Sequence, residues 1–263
     1  MSLSKILEKK IHNSKLNTIP FPIIIIKNFL PSKLLIELSN SLPSYSNLSG
    51  NNIFIQSKSG TKRSVFLESQ YFKKFLKRNN NIKKVINLFK ILEPALNSKF
   101  SNIIPRYINK DYINKKTNFS CSFSSCKKNY LKSPHIDRRE HKFHILFYPQ
   151  IQNKSGGEIC LWECKERKIY DVFPDENKLK LYKTIKASPN TCIITLNTPG
   201  SYHSVKKYTG SVERKYLYFV YDFPCSKENY KLKSRVKGNN KNSFWKNPVK
   251  VFSQKRLKKF LAE

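Results

Sequence analysis

Pro134-His135-Ile136-Asp137 is the stretch from which the fold can be read, because three later stretches complete it. Gly156-Gly157-Glu158-Ile159-Cys160-Leu161-Trp162 comes next, then Asn197-Thr198-Pro199-Gly200-Ser201-Tyr202-His203-Ser204-Val205, then Arg214 at the head of an apolar run. His135 and Asp137 are two apart, so on an extended strand both side chains leave the same face. With the distant His203 they offer two imidazoles and one carboxylate. Three such donors can cap one face of an octahedral ferrous ion and leave three positions open for reactants. Arg214 would supply a planar, permanently charged fork for a carboxylate-bearing partner.

Outward from these words the hydrophobic period shows how the chain is organised. Residues 1–19 form a polar, lysine-rich lead with a helix expected over Leu3–His12. Phe21–Phe29 reads as a strand of β-branched residues bounded by prolines, and Pro31-Ser32 opens a helix carrying Leu34, Leu35 and Leu38 on one face. Residues 44–64 read as loop, with a short strand at Ile53–Gln56. Helices are expected over Ser69–Lys77 and Ile82–Phe100. From about residue 104 the period becomes strand-like, in Ile104–Tyr107, Phe119–Ser124, His141–Tyr148, Glu158–Trp162, Thr191–Leu196 and Lys215–Asp222. Many short strands around one donor set predict a mainly β protein with flanking helices, its core a double-stranded β-helix of the jelly-roll type. The expected division is the lead (1–19), one domain (20–224, helical support about 31–100 and β core about 104–224) and a basic extension (225–263). That extension holds an amphipathic stretch near Val251–Leu261.

The ordered set resembles the 2-oxoglutarate and Fe(II)-dependent dioxygenase superfamily, in its prolyl-hydroxylase-like branch. The pattern there is His-x-Asp, a strand ending in an aromatic, Gly-Gly-Glu/Asp before another strand, a distal His, then Arg or Lys on the last strand. Here His135-x-Asp137, Ile145-Leu146-Phe147-Tyr148, Gly156-Gly157-Glu158, His203 and Arg214 stand in that order. Pro20–Pro31 is similar to the branch's first core strand and helix start, so the resemblance spans roughly residues 20–224. It implies Fe(II) held by His135, Asp137 and His203. It also implies 2-oxoglutarate as cosubstrate, its 5-carboxylate met by Arg214 and the Tyr148 phenol, with O2 as oxidant and ascorbate as a stimulant. The implied reaction hydroxylates an unactivated C–H bond of a small molecule, glycan or protein side chain and releases succinate and CO2. Which prime substrate is used is not in the ligand set. Arg214 lies slightly further from the distal His than the family's basic residue, and a longer turn over 206–211 would absorb the difference.

Read residue by residue, alternatives stay open. His141 and His144 rival His135 for a metal, whereas His12 sits in the polar lead. Alternation along His141–Tyr148 puts His144, Leu146 and Tyr148 on one face and Phe143, Ile145 and Phe147 on the other. Tyr148 is equally a rim aromatic closing a strand. Lys215 is the alternative to Arg214, but should face the other way. Gly156-Gly157 permits a turn whatever the function, Glu158 and Trp162 read as barrel structure or as lining of the site's mouth, and Asn197 as a turn residue.

Composition narrows the class. A hydrophobic fraction of 39% with 13% aromatics suits a folded chain. No apolar run nears the roughly 20 residues of a membrane span, and the first residues lack a secretory h-region. A soluble, cytoplasmic protein without membrane association is expected. The net charge of +34 comes from 51 basic and 17 acidic residues, with lysines spread along the chain. Weak, salt-sensitive, non-specific polyanion binding is therefore expected. A nucleic-acid-modifying dioxygenase is the alternative the charge favours. Relatives that repair alkylated bases carry a second arginine on the last strand, and Arg214-Lys-Tyr-Leu-Tyr-Phe-Val-Tyr-Asp222 has none. A metal-binding jelly roll without oxygenase activity is the other rival. The six cysteines form no Cys-x-x-Cys pair, and Cys160 and Cys192 fall in strands as small hydrophobes.

Overall fold

Two antiparallel sheets face each other in the computed structural model, which describes residues 1–48, 54–55, 60–67, 69–108, 110–138, 140–150, 156–165 and 173–224. The basic extension, its amphipathic stretch and Cys225 lie outside the described residues. In chain order the strands are β1 (Leu16–Asn17), β2 (Ile23–Ile26), β3 (Phe54–Ile55), β4 (Lys62–Phe66), β5 (Asn118–Cys126) and β6 (Lys132–His135). They continue as β7 (His141–Tyr148), β8 (Ile159–Cys164), β9 (Leu179–Ile185), β10 (Thr191–Leu196), β11 (His203–Val205) and β12 (Arg214–Asp222). The larger sheet runs β1-β2-β10-β7-β12-β5-β4-β3, and the smaller runs β6-β11-β8-β9. This is the expected mainly β, jelly-roll class with helices on one side.

The helices are α1 (Leu3–Asn13), α2 (Ser32–Ser41), α3 (Gln70–Lys77), α4 (Asn80–Lys90), α5 (Glu93–Lys99), α6 (Ile104–Tyr107) and α7 (Lys110–Ile113). They cover the outer face of the larger sheet because that face is apolar at every second residue. Phe143, Ile145 and Phe147 of β7 and Leu217, Phe219 and Tyr221 of β12 share one core with Ile82, Val85 and Phe89 of α4. Phe89 is the centre of that layer. Its ring stacks on Phe219 at 3.9 Å and lies 5.4 Å from Phe29 and 5.7 Å from Phe147. The inner face carries Leu146, Tyr148, Tyr216 and Tyr218, which meet Ile159 and Leu161 of the smaller sheet. The alternation expected along β7 is the one found.

Several elements differ from expectation. Ile104–Tyr107 is a helix, not a strand, because Pro105 sits in its first turn, where the missing N–H costs nothing. The single helix expected over Ile82–Phe100 is two, α5 restarting with Pro94 in its first turn. Strands β4, β6, β9 and β11 escaped the periodicity reading. They are short, polar or two-sidedly exposed, and β9 shows only Leu179 and Ile185 buried. The lead packs into the core. Leu7 and Ile11 of α1 are buried, Ser2 caps the helix, and β1 pairs with β2. Among the described residues no helix is long and apolar enough to cross a membrane.

Phe89→Ala should cost about 3–5 kcal/mol in urea unfolding, with Phe89→Leu losing less. A loss near zero would show that the helical layer does not brace the sheet.

Candidate active site

The donor set is assembled between the sheets by strand register. His135 at the end of β6 lies directly opposite His203 at the start of β11, and their rings are 4.4 Å apart. Asp137 is not on the same strand as His135, contrary to the expected spacing. β6 stops at His135, and Asp137 follows in irregular backbone. The three side chains nevertheless converge, each offering a ligand atom within 4.8 Å of the others.

Hydrogen bonds select the tautomers. His135 donates Nδ1–H to the Ser133 carbonyl at 2.9 Å, and His203 donates Nδ1–H to the Ser201 carbonyl at 3.0 Å. Both Nε2 lone pairs are then left facing Asp137. His135 Nε2 is 3.6 Å from Oδ1 and His203 Nε2 is 3.6 Å from Oδ2. Burial, with His203 beside it, pushes the His135 pKa down to about 3, so its ring is neutral. Burial works to raise the Asp137 pKa, but His144, His203 and His135 together hold it well below the usual carboxylate range. Two imidazoles whose Nε2 atoms face inward and one carboxylate fit a divalent transition metal.

Asp137 is fixed from behind by Tyr218, which the sequence did not single out, and is approached by His144, one of the rival donors. Tyr218 donates its O–H to Asp137 Oδ2 at 2.9 Å. His144 Nδ1 lies 3.0 Å from the same oxygen but off the line of a hydrogen bond. The signal for Tyr218 was available, since Arg214, Tyr216 and Tyr218 alternate on one face of β12. Only tertiary structure brings that face to Asp137.

Arg214 lies deeper between the sheets. It is 1% exposed and donates from Nη2 to the Tyr148 phenol oxygen at 2.9 Å, while its Nε has no hydrogen-bond partner. Tyr148, Tyr130, Tyr216 and Cys126 surround it, and burial raises all four pKa values, so none is an anion at neutral pH. Among the described residues Arg214 forms no ion pair. A buried, unpaired guanidinium carries a desolvation penalty on the order of several kcal/mol, and the spare Nε and the remaining Tyr148 proton offer what a carboxylate would take. Gly157 keeps the space open. A Cβ there would lie 3.1 Å from Arg214 Cδ and Nε, and its φ of +76° disfavours any other residue. The glycine pair is thus more than a turn.

No protein-family model and no curated protein sequence matches the chain. Solved structures do match it. A prolyl-4-hydroxylase from Pseudomonas putida superposes with a TM-score of 0.53 at 10% identity, covering 85% of this chain and 100% of the other. A prolyl 4-hydroxylase from Phytophthora capsici gives 0.50 at 12% identity, covering 91% and 71%. The chain has the prolyl-hydroxylase fold.

Within the prolyl-hydroxylase fold the remaining candidates fall into place. His141 turns away and pairs through Nδ1 with Asp222. His144 faces the donor set without joining it, its ring 5.4 Å from that of His203. Lys215 points to the opposite side, near Glu213 and the Leu42 carbonyl. Trp162 donates Nε1–H to Ser204 Oγ at 2.8 Å, and Asn197 accepts from Ser201 and donates to the Arg138 carbonyl, bracing the approach to His203. Cys160 and Cys192 are buried thiols.

Gly156→Ala should destabilise the fold more than Gly157→Ala. The added Cβ at 156 runs into the Lys207 carbonyl oxygen, whereas at 157 it meets the side chains of Arg214 and Tyr208 at 3.1 Å. Each left-handed position alone costs a non-glycine residue about 1–3 kcal/mol. Urea midpoints of the two variants check the order.

Proposed function

We propose that this chain is an Fe(II)- and 2-oxoglutarate-dependent oxygenase hydroxylating an unactivated C–H bond of a small molecule, glycan or protein side chain. The observation that carries the reading is one arrangement: a two-histidine, one-carboxylate donor set and a buried Arg214 with unused hydrogen-bonding capacity, both inside the prolyl-hydroxylase fold. His135, Asp137 and His203 would hold the iron, and Arg214 with Tyr148 would hold the 5-carboxylate of 2-oxoglutarate. Bound there, iron and 2-oxoglutarate would supply oxidation by O2, with succinate and CO2 released.

The protein's own part is positional. Ser133 and Ser201 carbonyls orient the two imidazoles, and Tyr218 occupies Asp137 Oδ2 so that the carboxylate is presented in one orientation. Arg214 supplies a fixed fork in a water-poor pocket, where a charge-assisted contact is worth more than at the surface. Tyr148 accepts from Arg214 and so keeps its own proton free to donate to the same carboxylate.

Arg214→Ala should raise the 2-oxoglutarate dissociation constant by roughly two orders of magnitude or more, since a buried charge-assisted contact contributes a few kcal/mol. Fe(II) binding should stay nearly intact, Arg214→Lys should recover part of the loss, and Tyr148→Phe should show a smaller effect in the same direction. Anaerobic titration of the iron-loaded protein reads all three. An unchanged 2-oxoglutarate affinity in Arg214→Ala would sink the cosubstrate assignment.

Tyr218→Phe removes only the hydrogen bond to Asp137. Metal affinity, measured with Fe(II) or Co(II) by absorption, should fall about 10–100-fold with little change in unfolding midpoint. Unaltered metal affinity would show that Asp137 is not oriented by the phenol.

A further inference from the structure

Lys132 opens β6, the strand that ends in His135. Its ammonium lies 5.4 Å from the centre of the Phe173 ring, and that ring stacks on His135 at 6.0 Å with 13° between the planes. Phe173 is 64% exposed. Several large apolar side chains are exposed, but among the described residues Phe173 is the one of them that stacks on a histidine of the donor set, where a ligand at that set would meet it. The cation and the aromatic face therefore form one wall at the rim of His135, Asp137 and His203.

Charge at this rim is unbalanced. Among the described residues Lys132 forms no ion pair. Burial and the neighbouring Lys62 both lower its pKa, against a weaker pull from Asp137. Lys62 belongs to the same positive field as Arg214. The two residues flank Cys126 in a single row across β4, β5 and β12. Lys62 lies 5.3 Å from the Tyr216 ring and 6.0 Å from that of Tyr130, and Arg214 lies 5.1 and 6.0 Å from the same rings. A ferrous ion, Asp137, Arg214 and doubly charged 2-oxoglutarate would together sum to zero, with Lys62 and Lys132 as the positive charges beside them. Lys132 stands beyond that balance, so the rim offers a place for one more anion.

We infer that the prime substrate carries a compact anionic group, carboxylate or phosphate, which seats on Lys132 while an apolar or planar body lies against Phe173. The inference rests on the oxygenase reading and narrows its substrate class to acids. It distinguishes Lys132 from the many lysines elsewhere, because among the described residues only its ammonium is paired with an exposed aromatic next to the donor set. The ring contributes dispersion and stacking area, and the ammonium contributes direction.

The test loads the full-length protein anaerobically with Fe(II) and 2-oxoglutarate and titrates it by calorimetry with phenyl phosphate, benzoate and neutral benzamide at matched ionic strength. The better of the two acids should bind about tenfold or more tightly than benzamide. In Lys132→Gln that preference should fall below about threefold, while 2-oxoglutarate binds as in the wild type, which also shows that the variant is folded. Stronger binding of phenyl phosphate assigns a phosphoryl substrate, and stronger binding of benzoate assigns a carboxylic acid. Acids that bind no tighter than benzamide, or a preference that survives Lys132→Gln, overturn the anion subsite. A wild type that takes up neither Fe(II) nor 2-oxoglutarate is seen before any acid is added. That result sinks the oxygenase reading, and the subsite falls with it.

Discussion

Everything in this molecule depends on β7 and β12 having two chemically opposite faces. Outward they present Phe143, Ile145, Phe147, Leu217, Phe219 and Tyr221 to the helices; inward they present His144, Tyr148, Arg214, Tyr216 and Tyr218. Because side chains alternate with period two, a one-residue slip would bury the polar set under the helices and turn the phenylalanines into the site. The nine consecutive partners between β12 and β5 make such a slip expensive. Fold stability and site geometry are therefore held by the same register.

The inner face is polar and buried at once, which is costly unless each group is answered. Most are. Tyr218 answers Asp137, Ser133 and Ser201 answer the two histidines, Ser64 and Ser124 answer each other at 2.7 Å, and Trp162 finds Ser204. Arg214 Nε, His144 Nδ1 and Thr191 Oγ1 are left without a hydrogen bond on this face, as are Asn97 Oδ1 and Thr117 Oγ1 away from it. At Arg214 the unanswered nitrogen belongs to a buried charge, so the missing partner there points to a ligand more strongly than it does at a lone hydroxyl or amide oxygen. Gly157 gives the same indication from the steric side, since it leaves room beside the guanidinium that any other residue would fill.

How much of this could be read from the chain varies with the kind of feature. Long alternating runs such as His141–Tyr148 and Thr191–Leu196 were legible to the residue, because burial of one or both faces leaves a strong pattern. Ile104–Tyr107 misled, since four residues are too few to separate helix from strand by period, and Pro105 decided it through its fixed φ and missing N–H. β6 and β11 carry the two histidines of the donor set yet left no periodic trace, being four and three residues long. They were recognisable only through the words His135-x-Asp137 and Gly200-Ser201-Tyr202-His203.

The sequence by itself determined the donor types, their order, the alternating faces and the glycine pair, because these are properties of neighbouring residues and of local backbone geometry. Tertiary structure alone decided that Tyr218 meets Asp137, that His141 is drawn off by Asp222 while His144 turns inward, and that Lys132 and Phe173 stand at the rim. Those pairings join residues far apart in the chain or across a bend, and their distances are set by sheet register and packing. No spacing rule along one strand encodes them.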